Sequence, residues 1–111
     1  MRKFNGLDVE LTRGDTLQFK VTFAKRELPL GSIALFTIKK RTRDEEAIVE
    51  KRVPIENNVA NIGLSSDDSN ITPRTYYWDM RVLIPLGDGT YDVKTPMEYA
   101  AFTILEVVGN V

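Results

Sequence analysis

Residues 67–84 read "DDSNITPRTYYWDMRVLI". A run of small polar residues leads to Pro73, and a strict alternation follows. Tyr76, Trp78, Met80, Val82 and Ile84 fall on one side. Tyr77, Asp79, Arg81 and Leu83 fall on the other. Successive side chains of a strand point to opposite faces, so period two over this length specifies a long strand with one buried face. A helix would need its apolar residues three and four positions apart.

The same period extends in both directions. Upstream, "NVANIGL" (58–64) sets Ala60, Ile62 and Leu64 against Val59, Asn61 and Gly63, and "AIVEKRV" (47–53) precedes it. "SIALFTIKKRT" aligns Ala34, Phe36 and Ile38, and "DTLQFKVTF" aligns Leu17, Phe19, Val21 and Phe23. A short "LDVEL" stands before them, and "GTYDVKT" and "MEYAAFTILEVV" follow the long strand. Turn residues separate these runs: Pro29 and Gly31, Arg43–Glu46, Asn57–Asn58, Ser65–Asn70 and Pro85–Gly89. Strands recurring about every ten residues indicate an all-β sandwich or barrel. Residues 65–73 have room for one turn of helix. The expectation is a single domain over residues 1–111, built as a sandwich of seven or eight antiparallel strands.

Tyr76 sharpens that expectation. A tyrosine just after a turn, two residues before a core position, is the corner tyrosine of an immunoglobulin-like β-sandwich, with its hydroxyl returning to the backbone just upstream. The core position is Trp78, an aromatic large enough to fill the space between two sheets.

Composition removes several chemistries. The chain of 111 residues has no cysteine and no histidine, and its net charge is -1. Disulfides, thiol nucleophiles and thiolate metal sites are excluded, along with the commonest general base. Behind Arg2 and Lys3 there is no apolar run, so the N-terminus does not read as a signal peptide, and no window approaches the length of a membrane span. The tripeptide Arg13-Gly14-Asp15 spells a cell-adhesion motif, but it lies between two strand patterns. Gly14 supplies positive φ at the reversal, and Asp15 or Thr16 can cap it.

Other clusters read as surface chemistry. Asp44, Glu45, Glu46, Asp67 and Asp68 lie in turns, and their spacing matches no calcium loop. The basic run Lys39–Arg43, with Lys51 and Arg52, sends alternate charges to opposite faces and lies close to Glu45, Glu46 and Glu50, so nucleic acid is not expected as a partner. No metal, cofactor or small-molecule substrate is implied, and no membrane. Aromatic residues are more informative. If Tyr76, Trp78, Phe102 and Ile104 face the core, then Tyr77, Leu83, Tyr99, Ala101 and Leu105 face outward from neighbouring strands. That outer row is apolar for a wet sheet, which marks a partner interface. A carbohydrate platform using Tyr77, Tyr91 and Tyr99 is the alternative.

The order "LTRGDTLQFKVTF", "IALFTIKKRTRDEEAIVEKRV", "SSDDSNITPRTYYWDMRV" and "GTYDVKTPMEYAAFTILEVV" resembles small bacteriophage and prophage structural proteins. It is similar to the immunoglobulin-like N-terminal domain of the phage baseplate upper protein family. The matching residues are Arg13–Thr16, Phe36–Lys39, Ala47–Lys51, Pro73–Met80 and Phe102–Ile104. Arg74 departs from the pattern, standing where the family has glycine. The resemblance implies a non-enzymatic virion component of the tail or baseplate, made in the bacterial cytoplasm. Its partners would be other virion proteins and further copies of itself. A carbohydrate-binding module that aids attachment to host cell-wall glycan is the second reading.

Overall fold

The structure is a computed structural model that describes residues 7–23, 27–95 and 99–107 in full and residues 2–5 by their backbone. It is all-β apart from one short helix. The strands are β1 (Arg2–Asn5), β2 (Asp8–Thr12), β3 (Leu17–Thr22), β4 (Ile33–Lys39), β5 (Val49–Pro54) and β6 (Val59–Leu64). Helix α1 (Ser66–Ser69) comes next, then β7 (Arg74–Pro85), β8 (Tyr91–Lys94) and β9 (Ala100–Leu105). Met97, Glu98 and Val108, the expected ends of the last strand, lie outside the described residues.

Two sheets form. The larger has seven strands in the order β1-β2-β9-β7-β4-β5, with β8 added beside β7. The smaller is the antiparallel pair β3-β6. Two details depart from the expectation of seven or eight antiparallel strands. Nine strands are present among the described residues, because "RKFN" forms β1 without an alternating apolar pattern of its own. The larger sheet is also mixed, since β2 runs parallel to β9, with Val9 beside Phe102 and Leu11 beside Ile104. Most of the chain separates these two strands, so no hairpin imposes an antiparallel pairing. Matching their buried faces decides the register.

Both sheets turn their apolar faces inward. Val9, Leu11, Ala34, Phe36, Ile38, Tyr76, Trp78, Met80, Phe102 and Ile104 from the large sheet meet Leu17, Ala60, Ile62 and Leu64 from the small one. Trp78 sits between the layers. Its ring lies 5.4 Å from Phe36 in its own sheet and 6.1 Å, edge-on, from Phe19 of the opposite sheet. Its indole N–H donates to the Leu7 carbonyl at 3.0 Å, which satisfies the one polar atom of the side chain. The Tyr76 hydroxyl donates to the Thr72 carbonyl at 2.6 Å, closing the expected corner. Arg74 lays its guanidinium 5.5 Å from the Tyr76 ring centre, a cation–π contact that a glycine at this position would lack.

Each end of the structure carries two chain crossings between sheets, and each pair is tied together. At one end, Asn57 and Asn58 take positive φ (51° and 61°) and turn the chain from β5 into β6. The Asn58 amide then grips the connection from β3 to β4. Its Oδ1 accepts from the Leu28 N–H at 2.9 Å, and its Nδ2 donates to the Phe23 carbonyl at 2.9 Å. Asparagine tolerates the left-handed region and supplies both a donor and an acceptor.

Two stability measurements follow. Trp78→Ala should lose about 3–5 kcal/mol in a denaturant melt, as expected for truncating a fully packed aromatic. Asn58→Ala should lose about 2–3 kcal/mol, from two hydrogen bonds and an L-residue strained at positive φ. Asn58→Gly should recover about 1 kcal/mol of that, because glycine relieves only the backbone.

Candidate interaction surface

The residues that spell Arg-Gly-Asp are occupied structurally. Gly14 has φ 87° and carries the chain from β2 in one sheet to β3 in the other, so the turn crosses between sheets instead of closing a ladder. Helix α1 lies against it. Ser66 Oγ donates to the Gly14 carbonyl at 2.7 Å, and the buried Ser69 Oγ donates to the Asp15 carbonyl at 2.6 Å. The Gly14 N–H reaches the Ser69 carbonyl at 3.4 Å, and Arg13 Nε donates to Asn70 Oδ1 at 3.0 Å. The arginine and both carbonyls are therefore engaged by the protein's own helix.

The short helix survives because it is capped at its first turn. Ser65 Oγ accepts from the Asp68 N–H, and the Asp68 carboxylate accepts from the Ser65 N–H at 2.7 Å, a reciprocal capping box. Lys51 Nζ adds an ion pair to Asp68 at 2.9 Å, reaching from β5. Burial pushes the Asp68 carboxyl upward. The bonds from Lys51 and Ser65 outweigh it and hold the group below the usual aspartate range.

The charged runs are divided by the pleat. Lys51 points inward to α1, whereas Lys39 and Arg52 stand on the outer face opposite Tyr77 and Leu35. Arg41 pairs with Asp44 inside the β4–β5 turn at 3.3 Å. Among the described residues, no group of three or more acidic side chains is arranged to hold a metal ion.

The outer face of the large sheet holds the five residues selected by parity, at three separate places. Tyr77 and Tyr99 form the centre, their rings perpendicular with centroids 5.6 Å apart, and Ala101 is the register partner of Tyr77. Tyr99 is 60% exposed. Leu105 lies beyond Thr103, beside Thr12, at one end of the face. Leu83 lies toward the other end. It is only 9% exposed, because Ile33 and Val93 flank it in register. Polar contacts fill the intervals: Thr75 to Thr103 at 3.2 Å, and Thr37 donating to Asp79 at 2.6 Å.

Sequence reasoning overlooked the row that surrounds Leu83. Pro54, Ile33, Leu83 and Val93 are successive register partners across β5, β4, β7 and β8. The signal was available in "SIALFTI", where Ile33 and Leu35 make the outward side as apolar as the inward one. Tyr91 pairs with Pro85, eight residues beyond Tyr77 on the same strand. At ~3.4 Å per residue this is about 27 Å, too far for both rings to stack on one sugar.

No protein-family model matches the chain, and no curated protein matches it significantly.

The Asp68 geometry predicts an acid limb to stability. A carboxylate depressed in the folded state stabilises above its unfolded value, and that contribution is lost as pH falls through the folded one. At neutral pH, Asp68→Asn should be less stable than the parent by about 1 kcal/mol. Urea melts repeated down to about pH 2.5 should show that gap closing, because the parent loses its charge while the asparagine does not change.

Proposed function

We propose that this chain is a non-enzymatic structural protein of a phage or prophage virion, a component of the tail or baseplate that works by protein–protein assembly. The observation that carries the reading is the ordered set of turn and core motifs from "TRGDT" to "AAFTILEVV". An immunoglobulin-like architecture is consistent with the structure in two respects. The strand order β2-β9-β7-β4-β5 opposes β3-β6, and Tyr76 makes the corner bond expected of that fold. Sandwiches of this kind suit polymeric particles, because their rigid faces and edge strands present ready contacts to neighbouring subunits.

The surface assigned to assembly is the outer face centred on Tyr77, Tyr99 and Ala101. Aromatic side chains with this exposure supply contact area at low entropic cost, and perpendicular rings offer an edge and a face to a partner. The partners are other virion proteins and further copies of this chain, joined in a particle whose parts are made in the bacterial cytoplasm.

Mass spectrometry of particles purified after induction of a strain carrying the gene tests the reading. The chain should appear at a stoichiometric copy number. Its presence in lysate but absence from particles would overturn the structural role. Tyr99→Asp should leave the melt within about 0.5 kcal/mol of the parent, as is usual for an exposed position, while the yield of complete particles drops. Normal yield from this variant would remove Tyr99 from the interface.

A further inference from the structure

Among the described strands β8 pairs on one side only, with β7, and its pattern complements itself. The Leu86 N–H donates to the Thr90 carbonyl at 3.0 Å, so residues 86 and 90 form a hydrogen-bonded pair. Pairs alternate along an antiparallel ladder. Ile84–Asp92 and Val82–Lys94 are therefore the bonded pairs of β7 and β8, and Pro85–Tyr91 and Leu83–Val93 the non-bonded ones. Pro85, which has no N–H to give, fits its place. The N–H and C=O groups of Tyr91 and Val93 consequently point away from β7. Among the described strands, only β7 pairs with β8, so these groups meet no ladder.

We propose that β8 pairs antiparallel with β8 of a second copy, about a two-fold axis through Val93, joining the two large sheets edge to edge. In this register Val93 faces Val93 and exchanges both backbone bonds, and Tyr91 faces Thr95. Asp92 faces Lys94 twice, once on each side of the axis. Within one chain Lys94 Nζ already lies 3.6 Å from Asp92 Oδ2, so the dimer closes a ring of four alternating charges. The Val93 and Tyr91 side chains, 50% and 44% exposed, are covered on the outer face.

The competing registers fail on the same facts. A shift of one residue sets an outward-pointing backbone group against one already spent on β7. A shift of two sets Asp92 against Asp92 or Lys94 against Lys94, and like charges directly opposite are destabilising. The pairing lies apart from the Tyr77–Tyr99 centre and holds whether or not the chain is a virion component.

Sedimentation equilibrium of the full chain at ~0.5 mM should show a species of twice the 12.6 kDa chain mass. Asp92→Lys should weaken that dimer about tenfold, and the swap D92K/K94D should restore it. Because the chain has no cysteine, Val93→Cys carries the sole thiol. The axis places its two copies about 5.5 Å apart at Cα, within disulfide reach. Mild oxidation should give a covalent dimer with Val93→Cys and far less with Tyr91→Cys, which lies off the axis. A monomer at that concentration, equal cross-linking of the two cysteine variants, or a swap that fails to restore the dimer would each overturn the pairing.

Discussion

The contact on which the structure depends is the aromatic cluster of Phe19, Phe36 and Trp78. A two-stranded sheet is marginal by itself, since it buries too little to offset its ordering. Here β3-β6 exists because its apolar face closes onto the large sheet, and Phe19 carries the aromatic contact across that closure. Trp78 reaches across from the middle of β7, which pairs with β4 on one side and β9 on the other. It is thus held by backbone on both flanks and by the Leu7 carbonyl at its polar tip. The side chain performs the spanning role that a disulfide performs in other sandwiches, in a chain that has no cysteine.

Closing two sheets onto one another forces the chain to cross between them, and each crossing brings backbone groups away from the ladders. These groups need partners. The protein meets that need by setting crossings against each other in pairs. Asn58, in the β5–β6 turn, satisfies Phe23 and Leu28 of the β3–β4 connection. Helix α1, between β6 and β7, satisfies the Arg13–Asp15 turn between β2 and β3. The adhesion-like tripeptide is thereby explained as one half of a hydrogen-bonded end cap. Its glycine is required by φ, and its carbonyls are held by Ser66 and Ser69.

The large sheet is wide enough to cover the small one, and among the described residues no further layer packs on its second face. That second face is not uniformly wet. Tyr77 and Tyr99 stand at its centre, and the row from Pro54 to Val93 closes over Leu83. The Thr37–Asp79 contact lies between them, and the Thr75–Thr103 contact separates the tyrosines from Leu105. An assembly function built on this face would use small apolar centres set in a polar frame, an arrangement that favours register and specificity as well as affinity.

What the sequence determined by itself was local. Period two placed the strands from β2 to β9 and told inward residues from outward ones. Asparagine and glycine marked the turns at Asn57–Asn58 and Gly14, and the spacing of Tyr76 and Trp78 predicted both the corner bond and the buried indole. These follow from side-chain chemistry within a few neighbouring positions. The tertiary structure alone decided that β2 lies parallel to β9, that "RKFN" extends the sheet as β1, and that β3 and β6 separate from the rest. It also decided that Leu83, Leu105 and the Tyr77–Tyr99 pair occupy different parts of one face. Parity assigns a residue to a face but not to a row. The row depends on which strands become neighbours and in what register, and that is settled by backbone hydrogen bonds between distant segments. The backbone donors and acceptors are alike at almost every residue, so a strand's neighbour is chosen by the burial of whole faces in three dimensions.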